Sequence, residues 1–175
     1  MKKIIIGLFL CCLLITIWGC CSTQPKFCGF QLGENFNTSK GTDGGWNSTA
    51  DKMGGKLYNI KQGNFTKFLD FNKVDVTSSS DNKIIVISTS YIGKDDSLFI
   101  KACDSIEGNF GVSPNSSSKE SRNYIINKDE STYFRVFGFW LEGRYCVSVT
   151  LTSDKLMQEA INTYKKSKSD SSAFK

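Results

Sequence analysis

Histidine is absent from all 175 residues, and that absence closes most routes to covalent chemistry. The usual general base, the Ser-His-acid and Cys-His nucleophile systems and the common zinc ligand sets all need an imidazole. What remains is a set of seven cysteines, serines near a lysine, and pairs of carboxylates. The cysteines are scattered and show no metal-ligand spacing. Asp129-Glu130, or Asp70 with Asp75, offers an acid and a base of the kind glycoside cleavage uses. Adjacent acids in a turn are normally solvated, however, and nothing in this spacing requires a reaction. Gly54-Gly55-Lys56 lacks the first half of a phosphate-binding loop. The chain therefore reads as one without a catalytic, metal or cofactor constellation, and not as an enzyme.

Ser116-Ser117-Ser118-Lys119 and Ser80-Asp81-Asn82 match two short elements of the penicillin-interacting enzymes. In those enzymes the S-x-x-K element comes first and opens a buried helix. Here the order is reversed, both elements lie in Ser-rich turns, and no K-T-G triplet follows. The match carries no function.

The sharpest chemical signature is at the beginning. Lys2 and Lys3 precede an apolar run over residues 4–18, and Gly19-Cys20-Cys21 closes it. Two positive charges followed by such a run match the regions an export signal presents. The run falls short of the roughly 20 apolar residues a spanning helix needs. Ile17, Gly19 and Cys20 fit the slots of a lipobox, so the chain resembles the bacterial lipoproteins. Cys21 would be the alternative register, but it places Trp18 where an aliphatic residue belongs. The resemblance implies removal of residues 1–19, a diacylglyceryl group on the Cys20 sulfur and a further acyl chain, such as palmitate, on its amine. Two or more chains give stable attachment, where one gives only marginal binding. Because Cys21 and not an aspartate follows Cys20, the family's sorting pattern implies the outer membrane, facing the periplasm.

Removing the signal lowers the net charge of +5 by the two lysines lost, which does not argue for nucleic acid. The remaining length suits one ordinary domain. The expected organisation is a signal peptide at 1–19, a lipidated tether at 20–26, an α+β domain at 27–166 and a frayed polar tail at 167–175. Lys165, Lys166, Lys168 and Lys175 at the tail read as a solvated helix end, with contact to anionic lipid as the alternative.

Within the domain, 27–33 reads as a short first strand. Residues 34–55, rich in Gly, Asn, Ser and Thr, read as a long loop that Trp46 plugs against the body or offers to a partner. Strands are expected over 56–60, 74–76 and 83–91, with a turn at 78–82 making the last two a hairpin. Asp95-Asp96-Ser97 opens a helix on Phe99, Ala102, Cys103, Ile106 and Phe110, stopped by Gly111. A short strand at 124–126 precedes a second hairpin, 132–141 and 144–151, turning at Glu142-Gly143. Ser153-Asp154 caps a final helix to about Lys166. The expected fold is a single α+β domain: an antiparallel sheet of two hairpins plus a short first strand, packed by two amphipathic helices.

Strand 132–141 is apolar on both faces. Either both are covered, or one is an exposed binding face. Trp46, Trp140 and Phe139 are therefore the candidate partner contacts. In an exported compartment Cys103 and Cys146 are the candidate disulfide, although strand parity points Cys146 away from the core. The body, with Gly29-Phe30-Gln31-Leu32-Gly33 and Lys56-Leu57-Tyr58, resembles small exported envelope proteins of unassigned function. A further likeness to small outer-membrane assembly lipoproteins is architectural only. The expected role is a membrane-tethered binding or scaffolding module with an envelope protein as partner. The alternative is an inhibitor or immunity lipoprotein against an envelope-targeting enzyme or phage.

Overall fold

Both expected hairpins form, and they sit at the centre of a sheet wider than the sequence suggests. A computed structural model describes residues 24–172, so the signal segment, Cys20 and Cys21 lie outside the described residues. The elements in chain order are β1 (Lys26–Phe27), β2 (Phe30–Gln31), β3 (Gly41–Asp43), α1 (Ser48–Lys52), β4 (Lys56–Ile60), β5 (Lys73–Ser78) and β6 (Ile84–Gly93). They continue with α2 (Leu98–Phe110), β7 (Ser116–Ser117), β8 (Ser121–Asn127), β9 (Thr132–Leu141), β10 (Arg144–Ser153) and α3 (Asp154–Ser172). The main sheet has eight antiparallel strands in the order β3-β4-β5-β6-β10-β9-β8-β7. The architecture is a single α+β domain, with three helices among the described residues.

Three details differ from the expectation. The first strand is instead a tight hairpin of β1 and β2 outside the main sheet. It turns at Cys28 and Gly29, both at positive φ (51° and 85°), as a two-residue hairpin of this hand requires. The loop over 34–55 is not structureless: it carries β3 and α1, with Asn47 capping α1 by accepting from Thr49 N and Ala50 N. Finally, α3 continues past Lys166 to Ser172, where a frayed tail is expected.

Local chemistry explains the two long helices. Gly111, at φ 62°, ends α2 and donates its N–H to the Glu107 carbonyl, closing the helix with a left-handed residue. At its start Ser97 makes no side-chain cap, and Asp95 accepts from both Ser97 N and Ser97 Oγ. For α3 the hydroxyl of Ser153 accepts from Leu156 N at 3.3 Å, an ordinary N-cap.

Strand alternation divides the sheet into two unlike faces. On one, Val74, Val76, Ile87, Phe134, Val136, Val147, Val149 and Leu151 meet Leu98, Phe99, Ala102, Cys103 and Ile106 of α2 to form the main core. Gly138 lies on this face, where a Cβ would meet the Tyr145 hydroxyl at 2.6 Å and the Phe99 ring at 3.1 Å. Its missing side chain lets α2 lie close to the sheet. Among the described residues, the second face is covered at one end, where α3 sets Ala160, Met157 and Ile161 against Met53, Ile85 and Val86.

Candidate binding face and chain entry

Strand β9 positions both the entry of the chain and the open face. Its first residue, Thr132, pairs with Ser153, and its last, Leu141, pairs with Arg144. Ten residues at about 3.4 Å each separate these ends by about 30 Å. At the first end Gln24 Oε1 accepts a hydrogen bond from the Thr132 hydroxyl at 3.1 Å. At the far end β9 turns through Glu142 and Gly143, both at positive φ.

On the second face of the far end, four large apolar side chains stand in solvent: Phe137, Phe139, Leu141 and, from β6, Ile92. The Phe137 and Phe139 rings are 5.4 Å apart. Cys146 is paired in register with Phe139 on one side and Ile92 on the other, and is itself buried. Of the two readings of the doubly apolar strand, the exposed face is the one observed. Ile92 is the member that sequence reasoning missed, because its strand was expected to end at Tyr91. The alternation that sends Tyr91 inward already sent Ile92 outward.

The candidate contacts do not form one surface. Phe139 and Trp140 are neighbours in sequence and therefore point to opposite faces. Trp140, 57% exposed, lies against the Tyr145 ring at 5.2 Å on the α2 side. Trp46 is neither near them nor a plug, being 81% exposed. It follows β3, where Gly44 N donates to the Leu57 carbonyl, and Leu57 stands level with Thr77, Val86, Thr152 and Tyr133. From that level Trp140 lies seven residues along the strands and β9 five strand spacings across, about 24 Å in each direction.

Cys28, Cys103 and Cys146 are all buried free thiols, so the candidate bridge between Cys103 and Cys146 is not made. The sheet itself stands between them: Cys103 packs in the α2 core, and Cys146 is on the other face. Burial pushes the Cys28 thiol up to about 12 and raises that of Cys103. Neither has the character of an activated nucleophile.

Beside Cys103, the Tyr124 hydroxyl donates to Glu107 Oε1 at 2.9 Å, and the Arg122 guanidinium reaches the same oxygen at 3.4 Å. Burial pushes the Tyr124 hydroxyl well above its ordinary value. This cluster ties α2 to β8. One carboxylate of each pair weighed for glycoside cleavage is otherwise occupied: Asp75 accepts from Asn59 at 2.6 Å and pairs with Lys73, and Glu130 pairs with Lys155 at 2.9 Å. Among the described residues no helix is long and apolar enough to cross a membrane. No family model, curated protein or solved structure matches the chain.

Proposed function

We propose that this chain is a membrane-tethered envelope lipoprotein acting as a non-catalytic binding or scaffolding module. Lipid on Cys20 holds it at the outer membrane facing the periplasm, and an envelope protein docks on Ile92, Phe137, Phe139 and Leu141. The observation that carries the docking reading is the cluster of these four side chains on a face that α3 closes at its other end only. A soluble monomer gains nothing by leaving such a contiguous patch in water, and patches of this kind mark interaction sites. The lipid reading rests on Ile17, Gly19 and Cys20 and on the charged and apolar segments before them.

Two experiments in intact cells test the two halves. Labelled fatty acid enters the wild type and not Cys20→Ala; label that survives the substitution removes the tether. Crosslinking followed by recovery brings down an endogenous envelope protein with the wild type and loses it with Phe139→Ser. Recovery that is equal with both removes the docking face.

A further inference from the structure

The end of the sheet where Gln24 meets Thr132 also carries the most exposed of the described tryptophans. Helix α3 crosses this end from one side of the sheet to the other. Asp154 accepts from the Tyr133 hydroxyl at 3.0 Å, Lys155 pairs with Glu130, Ala160 lies against Met53 and Ile85, and Tyr164 packs over Gly54. Beyond Tyr164 every described residue of α3 is exposed, including Lys165, Lys166 and Lys168. The packing of Tyr164 on Gly54 sets this part of α3 beside the end of α1, and within α3 Lys168 Nζ stands 4.7 Å from the centre of the Tyr164 ring. Lys56 lines the same surface hollow as Trp46, and both it and Lys52 of α1 are exposed. Asp43, Asp51 and Asp170 are the acids of the same corner, and the lysines outnumber them.

We propose that this corner, Trp46 with Lys52, Lys56, Lys165, Lys166 and Lys168, is a second membrane contact that rests on an anionic lipid surface. The inference builds on the reading that Cys20 carries lipid. Four residues from Cys20 to Gln24 reach at most about 14 Å, so an acylated Cys20 holds this end of the sheet at the bilayer. A tryptophan with an apolar body and a polar N–H suits the headgroup level. Lysines close to an anionic leaflet are attracted within a Debye length of it. The consequence is orientation. The acyl chains and this corner define two points on the bilayer, and the open face on β9, β10 and β6 is presented at the far end, about 30 Å away along the strand.

Residues 24–172 close their own core, so residues 20–175 with Cys20→Ser provide an unacylated protein for the test. With Trp140→Phe added, Trp46 is its one fluorophore of that type. On vesicles of equal parts phosphatidylglycerol and phosphatidylcholine, its emission shifts to the blue and is quenched by brominated lipid. On phosphatidylcholine alone it does neither. Replacing Lys165, Lys166 and Lys168 with glutamine lowers partitioning by about fivefold per charge removed, and Trp46→Ala lowers it further. Equal partitioning of the wild type and the lysine variant, or binding that leaves Trp46 emission unchanged, overturns the proposal. So does a photo-crosslinker at position 46 that captures protein and no lipid in intact cells. The vesicle result does not depend on acylation, so a failed fatty-acid label at Cys20 and a failed corner contact are read separately.

Discussion

Thr132 Oγ1 donates to Gln24 Oε1 at 3.1 Å, which places the entry of the chain at the first residue of β9. The exposed aromatic pair Phe137 and Phe139 belongs to the last half of the same strand. One β-strand thus joins the end where the chain enters the domain to the end that carries the exposed aromatic pair. Its rigidity comes from pairing along both edges, with β10 on one side and β8 on the other.

The two faces of β9 respond oppositely to truncation. Phe134 is fully buried, packing edge-on against Phe27 at 5.0 Å and at a tilt against Phe110 at 4.8 Å. Phe134→Ala costs about 3–5 kcal/mol, as for large core aromatics. Phe139→Ser loses only a partly exposed ring and its neighbour contact with Phe137, and costs about 1 kcal/mol or less. Urea denaturation of the two variants checks the contrast, and a large loss at Phe139 would mean that its ring is packed in solution.

Gly55 owes its identity to the neighbouring strand and not to a special backbone angle. A Cβ there would overlap the carbonyl of Ser78, a backbone atom that cannot swing aside. Gly55→Ala is therefore expected to destabilise by about 1–3 kcal/mol, the usual range for overpacking. Thermal denaturation that shows no loss would mean that the junction between α1 and β4 shifts freely.

The buried thiol of Cys28 gives a pH dependence with a definite sign. The thiol is uncharged when protonated, and burial lifts it from 9.0 to about 12 in the folded protein. The stability it contributes is full below about 9 and is lost as pH rises through about 12. Denaturation curves across this range should fall more steeply for the wild type than for Cys28→Ala. Identical slopes contradict the burial of this thiol.

Cys103 and Cys146 stay unbridged even under oxidising conditions, because each lies on its own side of the sheet. Alkylation after unfolding without reductant modifies both residues. A peptide crosslinked between them would require α2 or β10 to rearrange.

Much of the sheet was legible because its inner strands alternate and its turns carry recognisable residues. Glu142-Gly143 marked one hairpin, and β4 and β9 have the expected bounds. The edges were not legible. Gly41-Thr42-Asp43 has no apolar residue, and β3 forms only because β4 offers unpaired backbone groups. The turn at Cys28 was hidden because cysteine is not a usual residue at positive φ. Trp46 was left between two readings for a different reason: composition alone does not tell a plug from an exposed side chain, and the exposed one is observed, with Trp46 81% exposed. Three of the four patch residues were legible, since parity gave Phe137, Phe139 and Leu141, while Ile92 lay just past the expected end of its strand.

The central claim is that the end of the sheet remote from Gln24 docks a protein. It is tested most directly by a photo-crosslinking residue at position 139 in intact cells, with exposed Lys61 as the comparison position. A discrete adduct with an envelope protein from position 139, absent from position 61, is the predicted result. No adduct from position 139, or the same adducts from both positions, would contradict it.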